Sequence, residues 1–154
     1  MSRKALAGVL IAAAALSACA KTSSSPASNA SICANFKLAN TAVAPGAPEG
    51  AATVDECVRR WAYSLAPSRD PAESVAEAAA VACSTQLTRW NQASLAQPDG
   101  PEVSASLITG QPTNALAEHN AFAHSRALLY VVQARAGNCP APPAKDGRPD
   151  GVGA

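Results

Sequence analysis

Four of the five cysteines, those that follow Cys19, constrain the fold of the chain more than any other feature of the sequence. They are Cys33, Cys57, Cys83 and Cys139, and no two of them form a Cys-x-x-Cys pair. That spacing disfavours thioredoxin-like redox activity and zinc-ribbon binding, which both use such pairs. Four cysteines without such pairs indicate two disulfides if the chain folds in an oxidising compartment, and four cysteines allow three pairings.

The start of the chain has the pattern of an export signal. Residues 2–4 are Ser-Arg-Lys, and residues 5–16 form an uncharged, apolar segment of twelve residues. A segment of this length matches the core of a signal peptide and is too short to cross a bilayer as a helix. We therefore expect the chain to fold outside the cytoplasm, where cysteines are oxidised to disulfides.

Residues 16–19 are Leu-Ser-Ala-Cys, an aliphatic residue followed by two small residues and a cysteine. This tetrapeptide resembles the lipobox of bacterial lipoprotein precursors. The resemblance implies cleavage between Ala18 and Cys19 and attachment of a diacylglyceryl group to the Cys19 thiol. Two or three acyl chains hold a protein firmly on a membrane, whereas one chain binds only marginally. An ordinary secretory leader, cut at an Ala-x-Ala-like site, is the alternative.

The residue after the lipobox cysteine bears on the destination of the protein. Position 20 is alanine, in place of the aspartate that retains many Gram-negative lipoproteins in the inner membrane. The resemblance therefore implies a lipid-anchored protein on the outer membrane, facing the periplasm. It covers only the first twenty residues, and the remainder looks like the small proteobacterial lipoproteins of unknown function.

Composition predicts a single domain with a small core. Removing 18 of the 154 residues leaves 136, enough for one domain. Alanine supplies much of the apolar content, and the chain has two residues each of Trp, Tyr and Phe. Loss of Arg3 and Lys4 leaves ten of the twelve basic residues against eleven acidic ones. This balance gives no basis for nucleic-acid binding or for attraction to an anionic membrane surface.

Four segments follow from these patterns. Residues 1–18 are the predicted signal peptide, and residues 19–31 are rich in Ser and Ala, which predicts a flexible tether. Apolar periodicity over residues 32–139 predicts an all-α domain, a small three-helix bundle with two disulfides. Residues 140–154 are rich in Pro and Gly and carry charges, which predicts a disordered tail.

Start and stop signals place the helices. The first is predicted over 53–66, where Thr53 and Glu56 fit a capping box. The second is predicted over 70–96, with Asp70 as its N-cap. The third is predicted from residue 112 or 113 to residue 136. Its segment 127–132 is apolar on every side, so we expect this part to be the most buried.

Helix geometry favours one disulfide pairing. A short turn joins the first and second helices, so they pack antiparallel. With a rise of 1.5 Å per residue, Cys57 and Cys83 then differ in height by only about 4–5 Å. We therefore predict a Cys57–Cys83 disulfide, which leaves Cys33 and Cys139 to link the two ends of the domain.

The histidines do not form a recognisable catalytic or metal site. His119 and His124 are five residues apart, which places them about 140° apart on a helix. Glu118 is adjacent to His119, but neighbouring helix positions diverge. The chain contains no Gly-x-Ser-x-Gly motif and no glycine-rich phosphate loop. The sequence therefore predicts no catalytic residue, no metal site and no cofactor.

Two tryptophans and two arginines are the candidate binding residues. Trp61 and Trp90 lie at the spacing of a helical core, where they serve as packing residues or as the wall of a groove. Arg59 and Arg60 form either a patch for an anionic ligand or a solvated face beside acidic neighbours.

With an anchor and no catalytic signature, we predict a non-enzymatic adaptor or structural protein that binds another envelope protein. The alternative is a binding module for a small ligand or envelope fragment, with a groove lined by Trp61 or Trp90. A small hydrolase that uses His119 or His124 is a third hypothesis. A pocket, an exposed apolar patch or the absence of both would discriminate among the three.

Overall fold

The structure, a computed structural model, describes residues 31–36, 50–96, 104–106 and 110–152. Over these ranges the chain is mainly helical, and the predicted all-α fold with two disulfides is confirmed. The predicted signal peptide, the lipidation site at Cys19 and nearly all of the predicted tether lie outside the described residues.

Four helices and two short strand pairs make up the described part of the chain. The helices are α1 (Ala51–Leu65), α2 (Ala72–Ala82), α3 (Ser84–Leu95) and α4 (Ala115–Gly137). The strands are β1 (Ser104–Ala105), β2 (Pro112–Thr113), β3 (Ala144–Lys145) and β4 (Arg148–Pro149), and β1–β2 and β3–β4 are antiparallel pairs. Helices α1, α2 and α4 pack against one another, and α3 packs mainly on α4.

One apolar stripe buries α1 in this bundle. Val54, Val58 and Ala62 recur every four residues and are fully buried. The helix starts directly after Gly50, whose φ of 106° is a conformation that side chains disfavour. A Cβ at Gly50 would lie 2.6 Å from the ring of Trp90, so only glycine allows the helix start to approach that ring so closely.

The predicted capping box at the start of α1 is wrong. Among the described residues no side chain caps the helix, which begins two residues before Thr53. Glu56 instead forms ion pairs with Arg59 and Arg60, three and four residues further along the same helix. A charged donor makes a stronger hydrogen bond than a backbone N–H, so the arginines hold the carboxylate that the capping box requires.

The predicted second helix is two helices, because the chain bends at Cys83. There φ is −102° and ψ is 15°, and the Cys83 N–H bonds to the carbonyl of Ala80, three residues back. The fully buried Cys83 side chain is bonded to Cys57 of α1, and α3 then packs on α4. The predicted N-cap at Asp70 is also wrong, since its carboxylate accepts a hydrogen bond from Ser68 and caps no helix.

Helix α4 is capped at both ends and is the central element of the bundle. The Asn114 side chain accepts a hydrogen bond from the backbone N–H of Ala117, and Asn138 ends the helix in the left-handed conformation. Its buried face combines alanines such as Ala127 with the larger Tyr130 and Val131. None of the helices that the structure describes combines the length and the apolarity needed to cross a bilayer.

The two disulfides have the predicted pairing. Cys57 and Cys83 join α1 to the α2–α3 bend, with their Cα atoms 5.9 Å apart. Cys33 and Cys139 join the N-terminal segment to the residues after α4, with a Cα separation of 5.5 Å. The second bond therefore links the two ends of the helical domain, as the sequence predicts.

The predicted disordered tail is corrected for residues 140–152, which form a strand pair held on α1. Asp146 and Gly147 connect β3 to β4, both with positive φ, as a tight two-residue hairpin turn requires. Pro149 is buried, and the carbonyl of Asp150 accepts a hydrogen bond of 2.7 Å from Arg60 of α1. The sequence hypothesis weighed the Pro and Gly content but not the turn that Asp-Gly favours.

Candidate functional site

Trp90 and His119 form an aromatic pair where α3 meets α4. Their rings are stacked, with centroids 3.6 Å apart and planes within 16°, and Phe122 contacts the edge of the pair. His119 Nδ1 lies 2.7 Å from the side-chain oxygen of Asn91. An amide oxygen only accepts hydrogen bonds, so Nδ1 carries the proton and the lone pair of the neutral ring is on Nε2.

This pair leaves little room for a ligand on the indole. Trp90 is only 8% exposed, with His119 on its ring and Gly50 against its edge. Asn91 orients the imidazole of His119 as an asparagine does in some acyl-transfer enzymes. The imidazole, however, contacts the Trp90 ring and the Asn91 amide, and neither of these is a nucleophile. The arrangement supports packing between α3 and α4 more than it supports catalysis.

Burial makes the stability of this contact depend on pH. Burial lowers the pKa of His119 below its ordinary value of 6.5, because the charged ring loses hydration. In the window between the two pKa values, the unfolded chain binds more protons than the folded one. Stability therefore rises with pH across that window. We expect the free energy of unfolding to be highest above pH 6.5, to fall as the pH drops from 6.5 to the pKa of folded His119, and to level off below that pKa.

Urea unfolding between pH 5 and pH 8 measures this dependence. His119→Phe keeps an aromatic ring beside Trp90 and removes the titrating group, so it should flatten the stability profile. His124→Gln is the matched control, because it removes the other histidine and leaves the stacked pair intact. An unchanged profile in His119→Phe would show that the pH dependence arises elsewhere.

Arg59 and Arg60, which the sequence placed in an anion patch or a solvated face, bind groups of their own chain. The Arg60 Nε donates to Glu56 at 2.6 Å, and its Nη1 donates to the carbonyl of Asp150. Both guanidinium groups lie over the ring of Phe36, at 5.5 Å for Arg59 and 5.3 Å for Arg60. At 8% exposure, Arg60 is a structural link between α1, the N-terminal segment and the C-terminal strand pair.

Trp61, the other predicted binding residue, packs partly buried against the core. Its indole Nε1 is buried without a hydrogen-bond partner among the described residues, and the same holds for the hydroxyl of Ser64, one turn further along α1. Trp90, in contrast, stacks on His119 of α4.

A polar network joins α1 to α4 on another side of the bundle. The Tyr130 hydroxyl lies 2.9 Å from both carboxylate oxygens of Asp55, and Arg126 donates to Asp55 and to that hydroxyl. Burial, followed by the charge of Asp55, raises the pKa of Tyr130 well above its usual range. The phenol therefore stays protonated and donates to the carboxylate, and the network is satisfied internally.

His124 lies apart from His119, between two glutamates of α2. Its Nε2 is 3.4 Å from Glu73 and 3.6 Å from Glu77. The sequence argument that the two histidines point in different directions agrees with this separation. Among the described residues, no group of three or more His, Cys, Asp or Glu side chains is arranged to hold a metal ion.

The exposed side of α4 is the feature that sequence reasoning missed. The expectation that 127–132 is buried holds for Ala127, Tyr130 and Val131 and fails at Leu129 and Val132, which are each 50% exposed. We define the α4 outer face as the five residues Phe122, Ser125, Leu129, Val132 and Ala136. None of the five is charged. Ser125 and Ala136 are small and exposed, Leu129 and Val132 are half-exposed, and Phe122 is partly buried.

The signal for this face was present in the sequence. A helix that is apolar on every side carries more apolar residues than one buried stripe uses. In the apolar segment, Ala127, Tyr130 and Val131 occupy the core side of α4, which leaves Leu129 and Val132 outside. Exposed apolar residues that lie together on one element mark a contact surface more often than isolated ones do.

Comparisons with known proteins give no further assignment. No protein-family model, no curated protein and no solved structure matches this chain.

Proposed function

We propose that this protein is a lipid-anchored adaptor of the bacterial cell envelope that acts by binding another protein through the α4 outer face. The export signal and the lipobox-like residues 16–19 support the location. The two disulfides suit a domain that folds in an oxidising compartment. The predicted partners are thus the membrane, through Cys19, and an envelope protein, with no nucleic acid.

The observation that carries the binding role is the exposure of Leu129 and Val132 on an uncharged face of the central helix. Two of the other candidate groups already have partners within the chain. Trp90 is stacked on His119, and Arg60 is bonded to Glu56 and Asp150. The α4 outer face is therefore the surface best suited to contact a protein.

Photo-crosslinking in intact cells tests this role. A benzophenone amino acid at Leu129 of the full chain should give a discrete protein adduct on illumination. The same probe at Val81 is the matched control, because this α2 residue is 62% exposed and lies off the α4 outer face. A protein adduct at 129 and not at 81 supports the proposal. Lipid adducts alone, or equal adducts at both positions, would contradict it.

Mass spectrometry of the N-terminal peptide tests the anchor separately. Lipidated Cys19 should be the first residue of the processed chain, and Cys19→Ala should release the protein from the membrane fraction. An unmodified N-terminus at any other residue would contradict the envelope assignment.

A further inference from the structure

We propose that the protein bound at the α4 outer face is itself held in the membrane that carries this chain. This inference deepens the proposed function and rests on it, because it states the kind of partner that contacts the same surface.

The segment that leads back to the lipidation site is fixed at the C-terminal end of α4. Cys33 is bonded to Cys139, which follows the helix by two residues, and their Cα atoms are 5.5 Å apart. The side-chain amide of Gln133 donates to the backbone carbonyl of Ile32. These two contacts determine which end of the bundle a lipid at Cys19 would hold.

The exposed part of the α4 outer face begins at this anchored end of the helix. Phe122, the residue of the face farthest from that end, packs edge-on against Trp90 of its own chain. We define the exposed strip as the other four residues of the face, Ser125, Leu129, Val132 and Ala136. The strip is about 16 Å long, at 1.5 Å per residue, and it starts one residue before the helix ends at Gly137.

The length of the chain limits how far the exposed strip lies from the bilayer. Twelve residue steps separate Cys19 from Ser31. A fully extended chain spans at most about 3.3–3.6 Å per residue, so Ser31 lies within about 40 Å of the lipidated residue. Because the strip starts at the anchored end, it stays within roughly 60 Å of the bilayer surface.

The small size of the exposed strip favours a partner in the same membrane. The strip has only two large side chains, Leu129 and Val132, so one helix face of this length buries less than the roughly 800 Å² per partner of a standard interface. A contact of this size is weak between two proteins that diffuse freely. Two proteins held on one membrane meet at a raised effective concentration, which strengthens their association without any new contact.

The bilayer itself is a poorer occupant of the exposed strip. A helix that lies on a membrane combines a broad apolar face with basic residues that contact the lipid headgroups. Both arginines of α4 instead bind groups of their own chain. Arg126 is paired with Asp55, and Arg135 donates to the carbonyls of residues 66, 68 and 70. Charge therefore supports a protein partner more than a lipid one.

Photo-crosslinking with and without the lipid anchor tests the inference. The released chain carries a cleavable secretory leader in place of residues 1–18 and the substitution Cys19→Ser, so the same domain is exported without lipid. Both chains carry the benzophenone amino acid at Leu129 and are expressed at equal levels. The protein adduct should fall at least about tenfold in the released chain, because the two proteins no longer share a membrane. Equal circular dichroism of the two purified chains shows that release leaves the fold unchanged.

A second variant keeps the anchor and changes only its reach. Inserting about 36 Gly and Ser residues after Ser25 makes the segment between Cys19 and Ser31 about four times as long. Effective concentration falls roughly as the −3/2 power of linker length, so the Leu129 adduct should fall by up to about eightfold. The same insertion in the chain with the probe at Val81 is the matched control and should leave its background unchanged.

The location of the partner completes the test. The protein identified by mass spectrometry in the Leu129 adduct should remain in the membrane fraction of cells that lack this chain. A soluble partner, or an adduct equally abundant from the original, released and lengthened chains, would overturn the inference and leave the proposed function standing. If the anchored chain gives lipid adducts alone or no protein adduct, both the inference and the proposed function fail.

Discussion

Removing the Cys33–Cys139 disulfide is expected to lower the free energy of unfolding by about 4–5 kcal/mol, and removing Cys57–Cys83 by about 3–4 kcal/mol. The difference arises because the first bond closes a sequence separation of 106 residues and the second only 26. A longer loop restricts the unfolded chain more, so its closure stabilises the folded state more. For a small domain with total stability of about 5–15 kcal/mol, either loss is a large fraction.

Denaturant unfolding of two double variants measures these losses. The variants are Cys33→Ala with Cys139→Ala and Cys57→Ala with Cys83→Ala, each followed by far-ultraviolet circular dichroism. Alanine at the buried Cys57–Cys83 site also removes packed sulfur atoms, so the unsubstituted protein in reductant is the control that keeps them. A loss below about 1 kcal/mol for both pairs would contradict the view that crosslinks compensate for the small core.

Two parts of the fold could be predicted because they depend on patterns within single helices and on the short turn that joins two of them. Apolar spacing placed the helices, and the height of Cys57 and Cys83 on antiparallel helices selected the disulfide pairing. The bend at Cys83 could not be predicted this way. It depends on how α3 meets α4, which is a tertiary contact between residues far apart in the sequence.

The capping box failed for a related reason. Thr53 and Glu56 satisfy the local pattern, but two arginines in the next turn compete for the same carboxylate. The strand pair at 144–149 failed differently, since Asp146-Gly147 is a hairpin signal in the sequence. Its stability depends on Arg60 of α1, roughly ninety residues away, and composition alone carries no information about that contact.

The candidate site was the least predictable part. Trp61, Trp90, Arg59 and Arg60 were the candidate binding residues, because tryptophan and arginine side chains often contact ligands. The flat indole of Trp90 stacks on His119 instead. The Arg60 guanidinium contacts Glu56, Asp150 and Phe36 of the same chain. Which apolar residues of α4 remain exposed depends on which of its sides the other helices cover. Periodicity alone does not decide this where the helix is apolar all round.

The close approach of the Cys33–Cys139 disulfide to α4 leads to the second large effect, expected for Gly137→Ala. In an exposed helix interior, this change stabilises by about 1 kcal/mol. Here a Cβ would lie 2.6 Å from the Cys139 sulfur, 2.9 Å from Ile32 and 3.1 Å from the Cys33 sulfur. The disulfide and the N-terminal segment must then move, so we expect a net loss of about 1–3 kcal/mol.

A double-mutant cycle separates the cost of the contact with the disulfide from the cost of the contact with Ile32. Gly137→Ala is measured in the original chain and in the chain with Cys33→Ala and Cys139→Ala, where both sulfurs are gone. In the second background the substitution should cost much less, because Ile32 is the one remaining side chain of the three nearest to the new Cβ. An equal cost in both backgrounds would mean that the disulfide does not require glycine at this position. A lower cost in the second background would show that the disulfide requires glycine at the end of α4. The Gln133 amide also donates to the backbone carbonyl of Ile32, so the N-terminal segment contacts this end of α4 at two places.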